Sequence, residues 1–258
     1  MNFVLLIFVI SVGINLLMFI PAFIYKTDKL TDISYAVTFI AVSLVGYIFS
    51  PKYLAQFIGL TLVLIWAFRL GIFLFIRINK IKKDSRFDGM REKFIKFLRF
   101  WLLQGITVFI ILIPCVLLWS QNSTTFNSVS IIGVLVFIVG IILESVADFQ
   151  KYQFKNQRLP NWIDVGVWRT SRHPNYLGEI LIWIGVYLFC IPSLTFGQGI
   201  LALIGPIYIS VLLIFVSGVP LLEKSSDKKW SKEKAYQKYK SEVPVLLPSL
   251  SSIRRLNK

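Results

Sequence analysis

Seven stretches of about twenty apolar residues divide this chain, at 2–25, 33–49, 54–78, 99–119, 129–148, 177–196 and 198–222. Each is long enough to cross about 30 Å of hydrocarbon as a helix. Lipid offers no partner for free backbone N–H and C=O groups, so a helix is the structure that such a segment can adopt. The sequence therefore predicts an all-α, polytopic membrane helix bundle of about seven transmembrane helices. Composition agrees: 56% of the residues are hydrophobic and 16% charged, and mean hydropathy is +0.70. A soluble globule of 258 residues cannot hide that much apolar surface, which excludes a soluble enzyme, a secreted domain and a disordered chain.

Charge orients the bundle. The formal net charge is +15, yet twenty-six of the twenty-eight Lys and Arg residues fall in four segments, 26–32, 77–99, 149–176 and 223–258. The intervening loops carry only Lys52, and Arg69 lies inside a span. The positive-inside rule then predicts an outside N-terminus and a cytoplasmic C-terminus, and it accounts for the basic balance without nucleic acid. The N-terminus lacks a basic region and a small-residue cleavage site, so it reads as a retained first span. Cys115 and Cys190 sit in apolar runs without sequence-spaced partners, so neither a disulfide framework nor a metal cluster is expected. Segment 79–98 is a basic loop running into an amphipathic stretch. Its Phe94, Ile95, Phe97 and Leu98 either rest on lipid headgroups or belong to an ordinary cytoplasmic loop.

Ionisable groups inside spans are costly and mark candidate sites. Arg69, Glu144, Asp148, Glu179 and Glu223 are such groups, and Glu144 and Asp148 share one helix face by their i, i+4 spacing. Internal pairing, Arg69 with Glu144 for example, is the plain structural alternative. The richest stretch is GVWRTSRHPNYLGEILIWIGVYL, residues 166–188. Pro174 suits the first turn of a helix, which places Arg172 and His173 at its N-terminus and Asn175, Tyr176 and Glu179 in its first turns. A helix N-terminus beside an arginine is a ready anion site. The face carrying Asn175 and Glu179 points inward if Leu177, Ile180, Leu181 and Ile184 meet lipid. Interfacial snorkelling of Arg172 and His173 is the alternative. The basic tail 223–248 has a helical pattern around Tyr236 and Tyr239, and either folds back over the membrane end of the bundle or stays solvated. GQGILA at 197–202 follows no strand and is rejected as a dinucleotide fingerprint. There is no P-loop, no CxxC pair and no second histidine.

The chain resembles bacterial members of the steroid 5-alpha-reductase-like membrane family. SRHPNYLGE at 171–179 carries the resemblance most sharply, with IWAFRLGIFLFIR at 65–77, KDSRFDGMR at 83–91, ESVADFQKYQFK at 144–155 and SGVPLLEK at 217–224. The resemblance implies a membrane reductase, in the bacterial cytoplasmic membrane, that uses NADPH on a carbon–carbon double bond of a lipophilic small molecule taken from the bilayer. It implies cofactor contacts from Arg172, His173, Asn175, Tyr176 and Glu179, flanked by Asp148, Lys151, Lys155, Tyr236 and Tyr239, with Glu223 a looser match. It further implies a single membrane domain, 1–258, with helices of 1–119 toward the substrate and 129–258 toward the cofactor. The early Glu–Tyr pair of steroid reductases has no counterpart in 65–77, so Asp32, Tyr35 and Arg69, with Tyr47, stand as candidates for the catalytic acid. Isoprenylcysteine carboxyl methyltransferases are similar in Arg172, His173, Pro174, Tyr176, Glu223, Tyr236, Tyr239 and Pro248, which keeps an S-adenosylmethionine-dependent methyltransferase as an alternative. A non-enzymatic lipid-binding or scaffold protein is the third reading. The oligomeric state is not set by any of these features.

Overall fold

The computed structural model describes residues 2–80, 87–157 and 161–257, and among these the chain is about 80% helical with no strand. Among the described residues eleven α-helices follow one another: α1 Phe3–Ile24, α2 Lys29–Ile48, α3 Leu54–Lys80, α4 Phe94–Trp119, α5 Ser128–Asn156, α6 Pro174–Cys190, α7 Phe196–Ala202, α8 Ile204–Val211, α9 Val219–Trp230, α10 Lys234–Glu242 and α11 Leu250–Ile253. Seven helical segments among the described residues are long and apolar enough to cross a membrane: α1 to α6, and the run Phe196–Trp230. They coincide with the seven expected stretches.

Three boundaries differ from the hydropathy reading. Helix α5 runs to Asn156, beyond the expected 148, because its polar last turns keep helical hydrogen bonding after the apolar run ends. Helix α4 starts at Phe94, so the stretch expected either on headgroups or in a cytoplasmic loop opens a span. Phe94 and Ile95 are exposed, but Phe97 is fully buried among Phe19, Ala22, Phe87 and Trp101. The rest of that basic loop, 81–86, lies outside the described residues. The last run is also broken. After α8 the backbone widens into a π turn, Leu212–Val216, and α9 restarts behind Gly218 with Pro220 in its first turn. A side chain on Gly218 would collide with the Leu213 carbonyl, so this break needs glycine.

The chain forms two compact units, Met1–Ile131 with Val186–Gly205, and Ile132–Gly185 with Pro206–Lys258. In the first, α1 packs on α4 and α2, and α2 packs on α3. Neutral polar side chains lock these helices. Gln104 on α4 donates to Asn15 on α1 (2.9 Å), to the Ser34 hydroxyl (2.8 Å) and to the Thr31 carbonyl (3.0 Å) on α2. Asn15 donates to Thr38 (3.1 Å) and Ser11 donates to the Gly105 carbonyl (2.8 Å). Arg91, 1% exposed, donates to Asp28 at the start of α2 (2.7 Å) and to Asp88 (2.9 Å). Burial alone would lower the Arg91 pKa; the two carboxylates raise it above the ordinary arginine value. Cys115 and Cys190 are free thiols, both buried, and they meet side by side.

In the second unit, α5 and α6 approach through glycine. A Cβ built on Gly140 would lie 2.7 Å from the Gly178 carbonyl oxygen, and one on Gly178 would lie 2.7 Å from the Glu144 backbone nitrogen. Seven residues later on α6 and seven earlier on α5, Gly185 meets Gly133 and Phe137 in the same way. The two-turn repeat of small residues lets the backbones touch, a common device between membrane helices. On α6 the structure also differs from the expected facing: Leu177 and Ile180 are buried and not turned to lipid, while the face that meets α5 is that of Gly178 and Gly185.

Gly140→Ala and Gly178→Ala each force backbone atoms apart, and an overpacking loss of about 1–3 kcal/mol is expected. Gly13 in α1 has nothing within 4 Å of a built Cβ, so Gly13→Ala should hold or raise stability by helix propensity. Thermal unfolding midpoints of the three variants in detergent check this contrast.

Candidate functional site

The site is assembled where the chain turns into α6. Trp168 donates its indole N–H to the Ala147 carbonyl on α5 (3.0 Å), and the Val167 N–H reaches the Gln150 side chain (3.0 Å). Gly166 adopts φ +49°, and a side chain there would strike Gln150, so glycine permits this docking. The docked turn, Gly166–Arg169, delivers Ser171, whose hydroxyl accepts the His173 N–H (3.2 Å). Pro174 then opens α6, where its missing N–H removes no helical bond.

Glu223, in the second turn of α9, is the common partner of three groups. His173 Nε2 lies 2.9 Å from its Oε1, Arg172 Nε lies 3.3 Å from the same oxygen, and Lys240 Nζ lies 3.1 Å from Oε2. The Arg172 contact is an ion pair without hydrogen-bond alignment. Arg172 donates instead through Nη1 to the Lys240 carbonyl (2.9 Å) and through its backbone N–H to the Pro244 carbonyl (2.9 Å). Lys240 also donates to Asp227 (2.7 and 3.0 Å), one turn beyond Glu223, and Tyr236 donates to Asp227 (2.9 Å). Burial pulls the Lys240 ammonium down and Asp227 with Glu223 more than offset it, so its pKa stands above the ordinary lysine value. Burial and the bond to Asp227 push the Tyr236 phenol up; burial, then Asp164, raise Tyr239. Both phenols therefore stay protonated. Tyr239 donates to the Trp168 carbonyl (3.1 Å), and the two tyrosines pack with Trp162 and Trp230. The tail thus folds back onto the start of α6, with Ser252 on the Thr170 carbonyl (2.9 Å) and Arg255 on Asp164 (2.9 Å) as further ties.

His173 is 4% exposed. Burial lowers its pKa from 6.5, and Glu223 only partly opposes this, while Lys151 and Arg172 add to the depression. A neutral imidazole beside a carboxylate places its proton on Nε2, which leaves Nδ1 as an acceptor. Nδ1 is buried and has no hydrogen-bond partner among the described residues, and the same holds for Asn175 Oδ1. The Tyr176 ring stacks on His173 at 5.6 Å and 11°. The expected anion position at this helix N-terminus is taken by the chain's own Glu223. What the site leaves open is two acceptors, which suit a ligand group that donates N–H or O–H.

The structure therefore brings Arg172, His173, Tyr176, Glu223, Tyr236 and Tyr239 together, and Glu223 is central where the resemblance makes it only a looser match. Asn175 and Glu179 sit half-buried in the first turns of α6, and Glu144 and Asp148 are buried on α5 (4% and 7% exposed). Lys151 lies 5.0 Å over the Trp168 ring and shares a surface cleft with Lys155. Asp32, Tyr35 and Arg69 belong to the first unit. Tyr35 meets the rings of Phe39 (5.0 Å) and Trp66 (6.5 Å). Asp32 lies one turn before Tyr35 and Arg69 one turn after Trp66, so antiparallel pairing of α2 and α3 sets Asp32 and Arg69 at one depth. Sequence reasoning missed Lys240, Asp227 and Trp168. The first two carried a signal in their four-residue spacing from Tyr236 and Glu223.

Residues 18–243 match the family described as protein of unknown function (DUF1295), a family that includes steroid 5-alpha-reductase-like proteins. An uncharacterized protein of Schizosaccharomyces pombe is 26% identical over 136 residues, covering 45% of this chain and 39% of that protein. The chain thus spans less than half the length of that curated relative. No solved structure matches.

Because His173 is neutral in the folded chain, the unfolded chain binds the extra proton first as pH falls. Stability is full above about pH 6.5 and is lost as pH drops below it. His173→Gln should flatten the change in thermal midpoint between about pH 7 and 5, read by differential scanning fluorimetry.

Proposed function

We propose that this chain, which belongs to the DUF1295 family, is an integral membrane oxidoreductase that uses NADPH to reduce a carbon–carbon double bond in a lipophilic substrate. One observation carries the reading: Ser171, Arg172 and His173 of the SRHPNYLGE motif converge with Glu223 and the tail in one half-buried network, and His173 Nδ1 and Asn175 Oδ1 of the same motif are buried acceptors without a hydrogen-bond partner among the described residues. A family that includes steroid 5-alpha-reductase-like proteins favours this reading over methyl transfer.

The residues present fit the cofactor. His173 Nδ1 and Asn175 Oδ1 are acceptors matched to a ligand's N–H donors, such as those of a carboxamide. Arg172 and Glu223 fix the His173 ring and its tautomer, and Tyr176 supports its face. Glu179 and Asp148 belong to the same unit and stand as further candidates for cofactor contacts. When bound, a reduced nicotinamide supplies hydride. Asp32, Tyr35 and Arg69 stand as candidates for the proton donor that polarises a substrate carbonyl, since Tyr35 and Asp32 share one side of α2 and Arg69 lies level with Asp32.

Titration of NADPH, NADH and S-adenosylmethionine against the full chain in nanodiscs tests the proposal through thermal stability. NADPH at 100 times its Kd should add about 2.7 kcal/mol, and the Asn175→Ala, His173→Gln double variant should bind it at least about tenfold more weakly, the loss of one hydrogen bond or more. Stabilisation by S-adenosylmethionine alone would move the chain to methyl transfer, and a response to none of the three would contradict both.

A further inference from the structure

The end of the tail carries its polarity inside out. From 222 to 244 no large apolar side chain is exposed. The nine residues 245–253 then expose four, Val245, Leu247, Leu250 and Ile253, with Leu247 70% and Leu250 80% open. Ser252, in the same stretch, is fully buried and donates to the Thr170 carbonyl (2.9 Å). Leu250 and Ile253 are three apart in α11 and share one side of that turn, which Ser249 and Ser252 pin by a reciprocal capping pair. A soluble surface tolerates single exposed leucines. Four apolar side chains turned outward over a buried serine form a patch, which water would not select.

The position of the stretch decides what covers it. The span that opens at Pro174 runs to Ser193, 20 residues. At 1.5 Å per residue that is about 30 Å, the thickness of the hydrocarbon with none to spare. Pro174 therefore lies at the hydrocarbon boundary, and residues 170–172 lie among the headgroups. The stretch is fastened to those residues at both ends. The Arg172 N–H donates to the Pro244 carbonyl (2.9 Å) and the Ser171 hydroxyl to the Val245 carbonyl (3.3 Å), while Ser252 holds Thr170. Only residues 246–251 lie between the ties. A loop of that length, closed at both ends, cannot carry its tip more than about 10 Å from them. Leu247 and Leu250 thus stay at the level of the membrane interface, where lipid covers an apolar side chain. Arg254, exposed beside Ile253, sets a cation at the depth of the lipid phosphates.

We propose that residues 245–253 form an interfacial anchor, in which Leu247 and Leu250 enter the lipid leaflet at which α6 begins. The partner of this surface is the headgroup–acyl boundary of that leaflet, not a second copy of the chain and not a soluble protein. The anchored stretch follows directly on α10, which carries Lys240 to Glu223, so lipid, tail and site are joined by one series of contacts. The anchor holds whatever reaction the site performs.

The test uses the full chain in nanodiscs that hold one chain each, with an environment-sensitive fluorophore on Leu247→Cys or Leu250→Cys. Cys115 and Cys190 are buried, so the label goes to the introduced thiol. Lys238→Cys on α10, where the native side chain is 76% exposed, is the aqueous reference. Emission from 247 and 250 should be blue-shifted against 238. A lipid nitroxide placed near the headgroup should quench both more than one at the chain end, the depth that an interfacial residue reaches. Aqueous iodide should quench 238 several-fold more than 247 or 250. Unfolding midpoints equal to that of the native chain guard against a folding defect. The unsubstituted chain supplies a second reading: phosphatidylcholine bearing a diazirine near its headgroup should cross-link within 245–253 and not within 234–242. Iodide quenching at 247 and 250 equal to that at 238, or cross-links absent from 245–253, overturns the proposal. A blue shift that appears only when two chains share a nanodisc overturns it too, and assigns the patch to a second copy.

Discussion

A carboxylate held among three cationic or proton-bearing groups organises the second unit of this protein. Glu223 meets Arg172, His173 and Lys240 within 3.3 Å. These groups come from the entry to α6, from α9 and from α10, which sequence alone leaves fifty or more residues apart at the widest. Desolvating such charges is expensive, and only a set that satisfies its members together repays it. The cluster fixes the His173 tautomer and ties the tail over the start of α6. Site chemistry and tail fold are consequences of one arrangement of charge.

Backbone contact makes that arrangement possible. The glycines of α5 and α6 bring the two helices together, so the Trp168 indole reaches the Ala147 carbonyl and the turn before Pro174 docks without strain in its side chains. The π turn and Gly218 break the last span just ahead of Glu223. The break frees α9 to present a charged helix after an apolar one. The first unit is held by different means. Asn15, Gln104, Ser34 and Thr38 join three helices by neutral hydrogen bonds, which carry none of the desolvation cost of charge, and the buried Arg91 pair with Asp28 and Asp88 stands beside them.

Much of the fold was legible because lipid allows few structures. Seven apolar runs of the right length gave seven spans, and the basic motif at 171–179 gave the centre of the site. The boundaries were less legible, since Phe94 and the last turns of α5 are polar or mixed in pattern yet continue helical bonding. The burial of Leu177 and Ile180 is not legible in hydropathy, because an apolar residue suits lipid and protein interior alike, and a glycine seam acts through shape and leaves no hydrophobic signal. Lys240 is indistinguishable by composition from the tail lysines Lys238 and Lys228, and only the four-residue spacing of Lys240 from Tyr236 and of Asp227 from Glu223 marks the two. The polar network around Gln104 was missed because single neutral residues in apolar runs carry no periodic signature.

The central claim is that Glu223 couples the entry of α6 to the tail. A double-mutant cycle on Arg172→Gln and Glu223→Gln, read as unfolding free energy in one detergent at pH 7.5, addresses it most directly. Contacting charges in one network should show an interaction energy of about 1–3 kcal/mol. Losses that add to within about 0.5 kcal/mol would mean that the two residues act independently, and would contradict the account.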